Sequence, residues 1–195
     1  SDLSLTGTQI RLWTQENFGE DLIACPLNGE LYYWDKTLGV GARMVKLSSL
    51  AGASDVPVAA LMVGISPLDR HVLAFGANDL TGSSYDPLLV RWSNQEDAAN
   101  WTPDTTTTAG SYRLSLGSSI ISTIQTKQER LIWTDSALYT MRFSGYPYTF
   151  SFEVASGHIS VASPNSPVQF NDKVFWMGDG NFYVYSGAVD VVPCT

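Results

Sequence analysis

The chain is short of charge. Of its 195 residues only 15% are Asp, Glu, Lys or Arg, against roughly a quarter in an average folded domain. Surface helices normally carry Glu and Lys on their exposed side, so this shortage disfavours a helix bundle. Cations are the scarcer sign: 11 Lys and Arg stand against 19 Asp and Glu, a net charge of −8. The acidity is uneven, with −7 in residues 1–110 and −1 in the remainder. There is no basic arm and no arginine cluster. Sequence-independent DNA binding needs several phosphate-neutralising cations on one surface, and the sequence argues against it.

Histidine and cysteine are rare as well, with two of each. His71 and His158 stand far apart, each beside a strand, the usual setting of a structural histidine. Cys25 and Cys194 lack the Cys-x-x-Cys spacing of a zinc or redox pair. Two free thiols are the default expectation, and a single disulfide between them is the alternative. No His-x-x-x-His or His-Glu-x-x-His spacing occurs, and no Gly-x-Ser-x-Gly elbow. Gly178-Asp-Gly-Asn181 resembles half of a calcium loop, but the other acidic ligands and the closing Glu are missing. The nearest stretch to a sialidase-type Asp box, Ser93–Trp101, has Asp97 two places late and no Gly. No catalytic, metal or cofactor residue is assigned, and the chain is read as a non-enzyme without a cofactor. Apolar runs are also short: none reaches the ~18–20 residues that span a bilayer. No signal peptide is visible, and the ends at Ser1 and Val-Val-Pro-Cys-Thr195 read as those of a processed chain or a fragment.

What is present is aromatic and turn-rich. The chain is 44% hydrophobic and 12% aromatic, with 16 Gly. Asp21–Pro26 and Leu31–Trp34 flank Asn28-Gly29, a dipeptide that favours a tight hairpin turn. His71–Gly76 precedes a polar loop and then Leu88–Trp92. Arg130–Trp133 turns at Asp135-Ser136 into Leu138–Phe143. Lys173–Trp176 turns at Gly178–Gly180 into Asn181–Tyr185. Each unit is a short apolar strand, a turn and an aromatic-rich strand. Leu131-Ile-Trp133 lies over Val174-Phe-Trp176, and Leu138–Met141 over Phe182–Tyr185, at an offset of about 43 residues. A period of ~40–50 residues with several strands is that of a β-propeller blade. A lone hairpin cannot bury its apolar face, so the units must stack. The fold expected is all-β, propeller or propeller-like, with antiparallel hairpin blades over 10–50, 58–103, 112–156 and 159–195 in a single region. A generic β-sandwich is the alternative. Val58–Ile65 is read as a buried strand, Gln95–Asn100 as one short helical turn, and Thr102–Gly110 as a loop.

Certain stretches resemble a known family. Val90-Arg-Trp-Ser-Asn-Gln-Glu-Asp-Ala-Ala-Asn-Trp-Thr-Pro103 followed by Thr108–Leu114 is similar to a segment of the tail nozzle proteins of short-tailed bacteriophages. These include the tail tubular protein B and packaged-DNA stabilisation types. Arg11–Leu22, Leu131–Tyr139, Tyr146–Phe150 and Val174–Gly178 look like further words of that family. The resemblance covers most of the chain. It implies a structural virion protein, assembled in the host cytoplasm into a homo-hexameric ring below the portal and adaptor. Tail-fibre or tail-tip proteins would be further partners. Double-stranded DNA would pass through the lumen during ejection without specific binding. Members run to several hundred residues, so this sequence would be an internal part of a subunit. An alternative function comes from the aromatics: Trp92, Trp101, Tyr146 and Tyr148 could stack on a host surface glycan, making the chain a carbohydrate-binding propeller. Packing between blades is the competing use of the same rings.

Overall fold

The computed structural model describes residues 12–80 and 84–193. It is all-β. Among the described residues sixteen strands form four antiparallel sheets of four strands, the strands of each sheet pairing in sequence order. The first sheet is β1 (Trp13–Phe18), β2 (Asp21–Pro26), β3 (Tyr32–Trp34) and β4 (Val45–Lys46). The second is β5 (Ala60–Ile65), β6 (Val72–Ala77), β7 (Leu89–Trp92) and β8 (Gly110–Arg113). The third is β9 (Ile120–Gln125), β10 (Arg130–Thr134), β11 (Ala137–Gly145) and β12 (Thr149–Gly157). The fourth is β13 (Val168–Phe170), β14 (Lys173–Met177), β15 (Phe182–Tyr185) and β16 (Val189–Val192). No helix among the described residues is long and apolar enough to cross a membrane.

The sheets stack face to face, one hydrophobic cluster per interface. Ile23, Cys25, Val63, Ile65, Val72 and Ala74 join the first sheet to the second. Leu73, Phe75, Trp92, Ile132, Tyr139 and Met141 join the second to the third. Leu131, Trp133, Val174, Trp176 and Tyr185 join the third to the fourth. Alternation along each strand produces this division: Leu73 and Phe75 face forward while Val72 and Ala74 face back. The result is a propeller-like arc of blades that does not close into a ring. Its two end faces carry large apolar side chains in contact with solvent. Val168, Phe170, Met177 and Phe182 are each about half exposed or more on the fourth sheet, and Trp13 is 50% exposed on the first.

Two expectations need correction. The second unit does not end at 103, and the third does not begin at 112. β8 (Gly110–Arg113) pairs with β7, so the threonine-rich loop is an insertion inside a blade rather than a linker between blades. The offset between the last two units is also not uniform. Trp133 pairs with Leu138 as the last rung before its turn, and Met177 pairs with Phe182 as the last rung before the next. Trp176 is therefore the counterpart of Ile132 and not of Trp133. A one-residue slip sends a strand's side chains to the opposite face. Trp133 and Trp176 accordingly meet across one interface, edge to face, with ring centroids 5.2 Å apart.

Local chemistry explains the turns. Only Asn28 of the Asn28-Gly29 pair has positive φ (59°), so the connection is not the two-residue turn that needs both. Gly29 is required for another reason. A Cβ there would lie 2.5 Å from Pro26 Cγ, and the Gly29 carbonyl accepts a 3.0 Å hydrogen bond from Ala60 N of the second sheet. Gln95–Asn100 is not helical. Glu96 has φ 55°, and the Asp97 carboxylate accepts from Ala99 N and Asn100 N, holding an irregular turn.

Candidate functional site

The tryptophans proposed as ligand platforms are mostly core. Trp101 is fully buried between the first and second sheets, its indole N–H donating to Ala98 O at 2.8 Å. Trp92 is 5% exposed, donates to Thr108 O at 2.8 Å, and packs edge to face on Phe150. Tyr146 and Tyr148 remain exposed at 90% and 78%. The resemblance segment Val90–Leu114 thus places Trp92 and Trp101 in two different inter-sheet cores, and serves to anchor the inserted loop.

His71 is fully buried and belongs to a chain of polar contacts that the sequence did not announce. Asp69 takes hydrogen bonds from Ser66 Oγ and from His71 Nδ1. His71 Nε2 lies 2.9 Å from Thr108 Oγ1. The order carboxylate, imidazole, hydroxyl is that of a nucleophilic relay. Here the hydroxyl is engaged on further sides, by Gln95 N at 2.8 Å and Asn94 Oδ1 at 3.0 Å. Thr108 O also accepts from Trp92 Nε1 and Thr149 Oγ1. The chain of bonds clamps the inserted loop between the second and third sheets. His158 lies at the end of the third sheet with φ 57°.

A second polar system crosses the inner edges of the sheets. Beyond the Ala60 N–Gly29 O bond that edge of β5 is met by side chains, and unpaired strand edges need cover. Thr14 Oγ1 accepts from Val63 N at 2.9 Å, and Glu16 Oε2 accepts from Ile65 N at 2.6 Å. Arg130, 2% exposed, donates Nη2 to both Glu16 oxygens (2.9 and 2.8 Å) and to Ile65 O (3.0 Å). It also donates to Thr123 Oγ1 and Gln125 Oε1, and lies over the Phe75 ring. One guanidinium therefore ties three sheets together.

A third polar group lines an open cavity of about 480 Å³ where turns of the third and fourth sheets meet. Glu129, 7% exposed, accepts from Tyr185 Oη and from Arg142 Nε, both at 2.7 Å. Burial, followed by the Glu129 carboxylate, pushes the Tyr185 phenol up to about 12. The hydrogen bond to Glu129 raises the Arg142 guanidinium above its ordinary value. Lys127 and Asp172 form an exposed ion pair at the rim, 2.6 Å apart, and Gln128 and Gln169 complete the wall. Nothing in the spacing of 129, 142 and 185 signals this convergence.

Cys25 is a buried free thiol, its Sγ in contact with the carbonyl oxygens of Pro26, Gly29 and Ala60. Cys194 lies outside the described residues. Among the described residues no cluster of three or more His, Cys, Asp or Glu is placed to hold a metal ion. No protein-family model matches the chain, and no curated protein matches it.

Proposed function

We propose that the chain is a structural component of a bacteriophage virion, a tail nozzle subunit and not an enzyme. The observation that carries this reading is the architecture itself. Four sheets are bolted face to face by three cores and a buried guanidinium, and both end faces of the arc present large apolar side chains for further packing. Exposed apolar surface of this kind marks an assembly surface. The stretches that resemble the nozzle family suggest the assembly: a homo-hexameric ring in the virion, below the portal and adaptor and next to tail-tip or fibre proteins. The net charge of −8 suits a channel component past which DNA slides. At physiological salt the repulsion extends about 8 Å, so it discourages adhesion without gating passage.

The test is to image the protein expressed from its complete reading frame. Rings with a central channel that dock to a portal–adaptor complex are expected. A persistent monomer that never joins a phage tail refutes the proposal. The competing glycan reading, in the form that relies on stacking at Trp92 and Trp101, has lost both rings to the core.

A further inference from the structure

We propose that the cavity between the outer edges of the second and third sheets is a binding site for a neutral, gluco-configured oligosaccharide that lays its sugar rings on Tyr112 and Tyr148. This goes beyond the structural role above and does not depend on it.

The cavity measures about 690 Å³ and opens between β8 and β12. That volume falls within the usual range for small-molecule sites. Its floor is an aromatic cluster. Trp92 and Phe150 are buried and meet edge to face, with ring centroids 5.3 Å apart. Phe152 lies tilted on Trp92 at 6.1 Å. Tyr112 of the second sheet then stacks on Phe152 of the third, the rings within 5° of parallel and 4.3 Å apart. One face of Tyr112 is thereby covered and the ring is held, while 42% of the residue stays exposed. Tyr148, at the turn between β11 and β12, adds a second ring at the lip, 78% exposed. Aromatic side chains with few torsions lose little entropy when a ligand settles on them.

What the lining lacks narrows the ligand. No Asp, Glu, Lys, Arg or His is among the described residues that line the cavity. An ion would be desolvated there without a counter-charge, so the ligand is neutral. The lining is not purely apolar either. Ser111, Ser144, Tyr112 and Tyr148 bring hydroxyls that have no hydrogen-bond partner among the described residues. A hydroxyl both donates and accepts, which suits a polyol and offers a lipid chain nothing. A peptide added as a further strand is disfavoured. β8 is only four residues long, and β12 begins at Thr149 with φ 60°, outside the strand region. A pyranose whose ring hydroxyls are all equatorial carries only C–H bonds on its two faces. Such a face fits a tyrosine ring, and the hydroxyls at its rim match those of the lining.

The test is an NMR titration of the full chain with cellotetraose, and in parallel with a proline decamer as the competing ligand for an aromatic groove. Cellotetraose is expected to shift the amide signals of Ser111, Tyr112 and Ser144 saturably. Its affinity should not change between about 0.05 and 0.5 M NaCl, since no ion pair forms. Tyr148→Ala, on an exposed turn, should weaken binding about three- to tenfold with no change in melting temperature, and Tyr148→Phe, which keeps the ring, should bind more tightly than Tyr148→Ala. Tyr112→Ala should weaken it by about tenfold; should that variant fail to fold, Tyr148→Ala decides. No saturable shift with cellotetraose, tighter binding of the proline decamer, an affinity that falls with salt, or unaltered affinity in Tyr148→Ala would overturn the proposal.

Discussion

Arg130 offers the sharpest test of how the blades are held. Arg130→Met keeps the length of the apolar stem but removes five hydrogen bonds, to Glu16, Ile65, Thr123 and Gln125. It leaves the Glu16 carboxylate, whose side chain is 34% exposed, without its cation and with the Ile65 N–H still donating to it. Breaking a buried ion pair from one side costs about 3–5 kcal/mol. The partial exposure of Glu16 lets water replace part of the lost interaction, so about 3 kcal/mol is expected. Gly64 adds a second handle. A Cβ on Gly64 would stand 2.5–2.9 Å from the guanidinium atoms of Arg130. Gly64→Ala should therefore destabilise chiefly by displacing that guanidinium from its partners. The two substitutions remove one and the same network, so their costs cannot add. In urea denaturation followed by tryptophan fluorescence, Gly64→Ala should cost about 1–3 kcal/mol in the wild-type background, the range for a buried polar group that loses its partner. It should cost far less in the Arg130→Met background. Additive losses would show that Arg130 does not join the sheets as described.

Cys25 should be inert to iodoacetamide in the native protein at pH 8, because burial pushes its thiol from 9.0 to about 12, and it should react on unfolding. The unfolded thiol ionises near its ordinary value while the native one stays protonated, so its contribution to stability is complete below about pH 9 and is lost as the pH rises towards about 12. A pH series of urea midpoints on wild type and Cys25→Ala checks the sign. Trp176→Phe should cost about 1 kcal/mol more than Trp133→Phe, since Trp176 Nε1 donates to Ser160 O at 3.1 Å whereas the buried Trp133 Nε1 has no hydrogen-bond partner among the described residues; thermal melts of the two variants compare them. The Asp135 carboxyl is held below its ordinary range first by the Ser118 hydroxyl and then by the Ser118 N–H. That stabilisation is present above the ordinary carboxylate pKa and is lost as pH falls through the native one, so Ser118→Ala should raise the Asp135 pKa in an NMR titration.

Much of the fold was legible because it is local. Asp135-Ser136 and Gly178–Asn181 do sit between consecutive strands, as their turn chemistry implies. Val58–Ile65 carries β5, and the four aromatic hairpins each fall in a different sheet. Legibility fails where one residue of register decides a face. The sequence pairs Trp133 with Trp176 because both close an apolar triplet, yet the strand ladders set them on facing surfaces. It also fails where an insertion folds back, as with Trp101, whose burial depends on Ser54, 47 positions earlier in the chain. The polar systems were invisible for a plainer reason. Glu16 and Arg130 are 114 residues apart, and Glu129 meets Tyr185 from 56 residues away. No spacing rule reaches that far, and only the stacking of sheets brings such groups together.

The central claim is that this arc of sheets is part of a ring-forming tail component. Electron microscopy of the product of the complete reading frame tests it most directly. The account predicts six-fold rings with an open central channel, carrying these four sheets as one rigid arc in each subunit. A monodisperse monomer at micromolar concentration, which portal–adaptor complexes fail to recruit, would contradict it.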